Sequence, residues 1–159
     1  MRSGVILSVG GVTADLCDVH TSATSATGTA SASSNYVGYD AYIALDGSTG
    51  VGNVWATAGA PAVGDWWKYE LTNAKTITEY WMQANNEPTY HPNGWELQGS
   101  NNNVDWSVMD TQTSISWSAS LKREYTASNP GAYKYVRFYF TEVPATAYLY
   151  VSELMLRGY

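Results

Sequence analysis

The chain has 159 residues, a length that suits one domain with a real core and leaves no room for a second. Eight Lys and Arg stand against fourteen Asp and Glu, so the formal net charge is −6 and the chain is a poor binder of nucleic acid, whose affinity rests on basic patches. A single cysteine excludes an internal disulfide.

Residues 1–20 begin with M-R-S-G-V-I-L-S-V, whose apolar run is short and broken at Gly10-Gly11. No stretch is long enough to span a membrane, so no membrane insertion is expected. The pattern predicts two short strands joined by the Gly-Gly turn, the second covering V-T-A-D-L-C-D-V. Cys17 reads as a small buried hydrophobe: His20 is close in sequence, but nothing around the pair supports a catalytic thiol. Residues 21–34, T-S-A-T-S-A-T-G-T-A-S-A-S-S, have almost nothing to bury and read as a linker or extended arm. The expected division is therefore an arm over 1–34 and a folded body over 35–159.

From Asn35 onward strand signals dominate. Trp67, Tyr69 and Leu71 alternate with Trp66, Lys68 and Glu70. Thr76 to Met82 is β-branched and aromatic, and Gly94 to Gly99 alternates again. Asn101-Asn102-Asn103 marks a tight turn before a return strand at Trp106–Met109, because Asn tolerates positive φ. Lys134–Phe140 and Tyr148–Leu156 are the last strands. Strands about ten residues apart, with turn signals between them, predict an all-β sandwich or barrel. No window keeps a 3.6-residue period, so helices should be short or absent. Trp66, Trp95 and Trp106 are expected in the core. Arg137, mid-strand among apolar neighbours, is expected buried and paired with a carboxylate or with loop carbonyls.

Six short motifs then fall in one order. They are Asp46-Gly47; Asn53 and Trp55 after a short loop; Trp66-Trp67-Lys68-Tyr69-Glu70-Leu71; Ser100-Asn101-Asn102-Asn103 with Trp106; Tyr135-Val136-Arg137-Phe138; and Glu153 with Gly158. In this order the chain resembles the discoidin-like domain, also called the coagulation-factor type C or galactose-binding-like domain, from about Asn35 to Gly158. Asn53 stands where that family has Thr, Glu70 where it has Asp, and the loop before Asn53 is about two residues longer than is common.

The resemblance implies a jelly-roll β-sandwich that binds surfaces, most often sugars in bacterial and viral members. It implies a structural Ca²⁺ where the Asp-Gly loop meets the last strand. The matching ligands are Asp46 and Glu153 through carboxylates, Ile43, Ser48 and Ser152 through carbonyls, and Asn53 through its amide oxygen; such a mixed oxygen set suits calcium. It also places a ligand on loops at one end of the sandwich. Three segments map there: Ala56–Asp65, which is bland, Gln83–Asn93 and Glu142–Tyr148. In the second, Asn85, Asn86, Glu87 and His91 offer planar polar groups and Tyr90 an apolar ring face. Tyr148 stands where relatives often place an aromatic platform, and Trp117 is a further exposed-aromatic candidate. The basic residue that often grips sugar hydroxyls in relatives is missing from the second loop.

These readings lead to a non-catalytic carbohydrate-binding module for surface glycans. Its expected setting is a bacteriophage virion or other extracellular surface assembly (tail fibre, head fibre or capsid decoration), made in the cytoplasm without a signal peptide. The alternative is a decoration protein without sugar binding, whose residues 1–34 dock on another assembly protein or build a homo-oligomer. No spaced carboxylate pair, Ser-His-Asp set or His/Cys cluster points to an enzyme.

Overall fold

The computed structural model describes residues 12–159. Nine strands and two short 3₁₀ turns make up its regular structure: β1 Ala14–Asp15, β2 Gly28–Ala32, β3 Trp55–Ala56, β4 Trp66–Gln83, β5 Gly94–Ser100, β6 Ser107–Gln112, β7 Lys122–Glu142, β8 Tyr150–Val151 and β9 Glu153–Gly158. The 3₁₀ turns cover Ala41–Leu45 and Pro88–Tyr90. Every strand pair is antiparallel, and the architecture is the expected discoidin-like sandwich.

Two long strands organise it. β4 has 18 residues, β7 has 21, and they pair along most of their length with register shifts between Glu70 and Lys75 and between Ile77 and Glu79. The shifts divide each strand between two layers. Trp66–Leu71 and Tyr135–Glu142 lie in one layer with β2, β5 and β6. Residues 75–83 and 122–133 lie in the other with β9 and β1. A bulge adds an unpaired residue and flips the faces that follow. Accordingly the buried positions of β4 are odd at Trp67, Tyr69, Leu71 and Ile77, then even at Tyr80 and Met82. The sequence signals at Trp66–Leu71 and Thr76–Met82 are thus two halves of one strand.

The core between the layers is aromatic. Trp67, Tyr69, Tyr80, Trp95, Phe138 and Phe140 are all buried. Their polar atoms are bonded, as buried polar groups must be. Trp67 Nε1 donates to the Ala41 carbonyl at 2.8 Å, and Trp95 Nε1 donates to the Tyr80 hydroxyl at 3.1 Å. That hydroxyl in turn donates to Asp110 Oδ2 at 2.7 Å.

Three expectations are corrected here. Residues 12–34 are not a detached arm. Gly28–Ala32 pairs with Trp67–Leu71 as an edge strand, with Ala30 buried, and Ala14–Asp15 pairs with the end of β9. Small residues suffice because the pairing is made by backbone groups alone. A polar lock holds the segment: His20 Nδ1 donates to the Ser22 carbonyl, and Nε2 is hydrogen-bonded with the Tyr69 hydroxyl at 2.9 Å. Ser25 and Thr27 both donate to Asp18, which holds its carboxyl below the ordinary value. Of the proposed hairpin, residues up to Gly11 lie outside the described residues, and the remainder contributes only β1. Trp66 and Trp106 are half-exposed and not core, because the alternation of β4 sends Trp67 inward and Trp66 outward. Arg137 is likewise half-exposed; its Nε donates to Gln98 Oε1 at 2.7 Å and it has no carboxylate partner among the described residues. Cys17 is buried as expected, and burial pushes its thiol up to about 12, which leaves it inert.

Ala30→Asp places an unpaired charge against the core and should cost about 3 kcal/mol or more in denaturant unfolding. Ala26→Asp, four residues earlier and exposed, should change stability by less than about 0.5 kcal/mol. Equal, small effects would mean that the segment is a linker after all.

Candidate functional site

At one end of the sandwich the chain brings five tyrosines together. The turn Tyr36-Val37-Gly38-Tyr39 reverses at Gly38, whose φ of 84° is a left-handed conformation that side-chain-bearing residues rarely adopt. It is tied to β3, since Tyr36 N donates to the Ala56 carbonyl and Ala56 N donates to the Tyr39 carbonyl. β3 pairs with β8, Ala56 opposite Tyr150. Tyr148 and Tyr150, two residues apart, stack at 6.4 Å with rings 11° from parallel. Tyr36 meets Tyr148 edge-on at 5.0 Å. From the next loop, the 3₁₀ turn begun by Pro88 delivers Tyr90 onto Tyr150 at 4.6 Å.

Tyr36, Tyr39, Ala56, Tyr148 and Tyr150 line a cleft of about 230 Å³. That is below the roughly 300–1,000 Å³ of pockets for drug-sized ligands, and suits a small unit held on an open surface. The lining carries ring faces and hydroxyls and no charge. The neighbouring Tyr36 holds the Tyr148 hydroxyl above its ordinary value, and burial together with Glu87 does the same to Tyr150. Both therefore stay neutral donors and acceptors at physiological pH.

The sequence-predicted ligand residues separate into groups. Tyr148 lines the cleft and Tyr90 supports it through its stack on Tyr150. Glu87 acts electrostatically on Tyr150. Asn86 is exposed and accepts from Ser120 Oγ at 3.1 Å. Asn85 and His91 are buried, which corrects their expected role. Asn85 Oδ1 accepts from the Glu87 backbone N–H at 2.8 Å and shapes the loop from beneath. His91 is 1% exposed, and burial pulls its imidazole down to about 4, so it is a neutral packing group beside Trp117. Trp117 is half-buried against the core, its Nε1 donating to the Pro92 carbonyl at 2.8 Å, and it does not line the cleft. Sequence reasoning missed Tyr36, Tyr39 and Tyr150. The available signals were the Gly-reversed pair Tyr36/Tyr39 and the i, i+2 spacing of Tyr148 and Tyr150.

The residues expected around a metal are linked by hydrogen bonds, although mostly through atoms other than the expected ligand oxygens. The 3₁₀ turn Ala41–Leu45 ends at Asp46, whose N–H donates to the Ile43 carbonyl at 3.2 Å. Gly47, at φ 77°, turns the chain so that its own N–H and that of Ser48 both reach Glu153 Oε1, at 2.6 and 3.1 Å. Asp46 Oδ1 accepts from Ser48 N at 2.8 Å. Asn53 Nδ2 donates to Ser48 Oγ at 2.5 Å, and Ser152 Oγ donates to the Asn53 carbonyl at 3.3 Å. Burial first, and then the negative Asp46, push Glu153 up to about 8. A carboxylate pair frustrated in this way is relieved either by a proton or by a cation. Two carboxylates among neutral oxygens are a donor set that fits a hard cation such as calcium.

A profile of the F5/8 type C domain matches residues 29–154. The chain belongs to this family. F5/8 type C domains are non-catalytic binding modules. Among solved structures, this F5/8 type C chain is similar to chitosan-binding module 1 of a chitosanase/glucanase from Paenibacillus sp. IK-5, at 22% identity and TM-score 0.65, covering 82% of this chain and 94% of that one. Module 2 of the same enzyme, solved with chitotriose, is 21% identical at TM-score 0.65, covering 82% and 95%. The family 32 carbohydrate-binding module of NanJ from C. perfringens, solved with galactose, is 19% identical at TM-score 0.63, covering 82% and 98%. At these identities the likeness shows the fold. No curated protein matches the chain.

Glu153 carries a pH signature. Its folded value lies above its ordinary value, so the unfolded chain releases this proton first. With a chelator present, stability should be highest below about pH 4.5 on this group's account and fall as pH rises toward about 8. Urea unfolding across that range measures it, and Glu153→Gln should flatten this part of the profile. A Glu153→Gln profile as steep as the parent's would contradict the assignment.

Proposed function

We propose that this domain is a non-catalytic carbohydrate-binding module whose ligand is a neutral glycan unit seated in the tyrosine cleft. The observation that carries the reading is the convergence of Tyr36, Tyr39, Tyr148 and Tyr150 around an uncharged, open cleft of sugar-sized volume, backed by Tyr90. Ring faces match the apolar C–H face of a pyranose, and phenolic hydroxyls both donate and accept to its hydroxyl groups. The sugar complexes of the similar modules from Paenibacillus sp. IK-5 and C. perfringens support a carbohydrate as the ligand, and the galactose of the C. perfringens module is a neutral one.

In this proposal a Ca²⁺ is held by the Asp46 and Glu153 carboxylates, with oxygens of Ile43, Ser48, Asn53 and Ser152 around it. The ion supplies charge neutralisation and no polarisation of substrate. The chain's own residues transmit its effect. The loop pinned by Glu153 leads into β3, β3 pairs with β8, and β8 carries Tyr150.

A shallow site of this kind binds weakly, since little area is buried against the cost of association. Display in many copies multiplies the apparent affinity by roughly 10²–10⁴. That need for repetition supports a place in a repeated surface assembly such as a phage fibre or capsid decoration.

A glycan array probed with multivalent protein tests the reading. The expected result is binding of neutral glycans that Tyr148→Ala and Tyr150→Ala each reduce by about tenfold or more, since each removes an aromatic platform. Millimolar Ca²⁺ should raise Tm over the chelated protein, with the largest gain near pH 8, and Glu153→Gln should remove that gain. A blank array with folded multivalent protein would contradict the sugar reading. A Tm indifferent to Ca²⁺ would contradict the metal.

A further inference from the structure

The outer face of the larger layer carries a second constellation, away from the cleft. Strand register sets it out as rows. Trp66 stands opposite Tyr139, and Tyr139 opposite Glu96. In the next row Lys68 stands opposite Arg137, and Arg137 opposite Gln98. Asn103 and Trp106 close over them from the β5–β6 turn, and Trp66, Lys68, Asn103, Trp106 and Arg137 line a depression of about 170 Å³.

Two like charges placed directly opposite on neighbouring strands destabilise a sheet. Glu70 and Glu96 act on this pair from a distance, yet among the described residues no carboxylate lies within ion-pair reach of either cation. The nearby Glu70 pairs with Lys134 at 3.2 Å, and Glu96 accepts from Gln98 Nε2 at 2.6 Å. Among the described residues neither Lys68 nor Arg137 makes an ion pair, whereas Lys122, Lys134 and Arg157 all do. Both cations are instead held in place by neutral groups. Arg137 lies 4.1 Å from the Trp106 ring centroid and 5.1 Å from that of Tyr139, with Nε on Gln98. Lys68 Nζ donates to Asn103 Oδ1 at 3.0 Å and lies 5.1 Å from the Trp66 ring. The two Nη groups of Arg137 have no protein acceptor among the described residues. Burial keeps Lys68 below its ordinary value; the negative Glu70 opposes this and the charge of Arg137 adds to it. A bound anion would relieve both cations.

We propose that this face is a second ligand site, which takes the carboxylate of an acidic sugar. The carboxylate accepts two parallel N–H bonds from the free fork of Arg137 and a third contact from Lys68. Trp66 and Trp106 flank the sugar ring. A fixed guanidinium fork selects a planar carboxylate, and the indoles add the ring contact that a bare inorganic anion lacks. The site is independent of the tyrosine cleft and its neutral ligand, so the module would read an acidic and a neutral unit on different faces.

Titration calorimetry at low salt tests this, with tetragalacturonate and sialyllactose as probes and methyl-esterified tetragalacturonate and lactose as their neutral counterparts. The expected result is that at least one acidic probe binds about tenfold or more tighter than its neutral counterpart. Arg137→Gln and Lys68→Gln should each lower that binding by about tenfold, whereas Tyr148→Ala should leave it within about twofold. Lys68 is only half-buried, so Lys68→Gln keeps the test decisive if Arg137→Gln proves unstable. The proposal would be overturned by acidic and neutral probes binding alike, by no binding of either acidic probe, by retention of binding in Lys68→Gln, or by equal competition from inorganic phosphate at the same concentration. Loss in Tyr148→Ala alone would place acidic sugars in the tyrosine cleft and also overturn it. Failure of this site leaves the neutral-glycan reading standing, because Tyr148→Ala and Lys68→Gln report on separate faces.

Discussion

The pairing of β4 with β7 is the constraint on which the rest depends. Both strands run through both layers, and the register shifts along them change which side chains face inward. Once those shifts are set, Trp67, Tyr69, Tyr80, Met82, Phe138 and Phe140 fall on the inside together. The same parity sends Trp66, Lys68, Arg137 and Tyr139 outward in register. Core and outer face are therefore two consequences of one strand pairing. A slip of one residue would exchange them and bury two cations.

The end of the sandwich obeys a second, more local constraint. The short strands β3 and β8 have two residues each, too few to be stable alone. They are held because Glu153 draws in the Gly47–Ser48 backbone just before β3, and because Thr57 Oγ1 accepts from Leu149 N at 3.0 Å beside β8. The tyrosine cleft is built on this pair. Under the proposal above, a proton or a cation at Glu153 would act on the cleft through this strand pair, because Glu153 itself does not line it.

Much of the fold was legible in the sequence because its core strands announce themselves. Trp67, Tyr69 and Leu71 alternate cleanly, and the β-branched and aromatic run at Thr76–Met82 leaves little choice. β2 was not legible. G-T-A-S-A has no side chain that demands burial, and it becomes a strand only because β4 offers an unpaired edge. The bulges were hidden for a related reason: no residue type marks them, so one bent strand read as two. Among the candidate site residues, the resemblance to discoidin-like domains pointed to Tyr148, which lines the cleft, and to Asp46 and Glu153, which lie together. Planar polar side chains in the Gln83–Asn93 loop were misleading, since Asn85 and His91 serve the loop from below. Tyr36, Tyr39 and Tyr150 lie far apart in sequence and meet only through the β3–β8 pairing. Arg137 looked like a buried ion because its strand neighbours are apolar, although its own position faces out.

The central claim is that the tyrosine cleft holds the sugar. The most direct measurement is a titration of ¹⁵N-labelled protein with galactose and with N-acetylglucosamine oligomers, followed by amide chemical shifts. The account predicts saturable changes for at least one of these sugars, centred on Tyr36, Tyr39, Ala56 and Tyr148–Tyr150. Saturable shifts centred elsewhere, or no shifts up to saturating sugar, would contradict it.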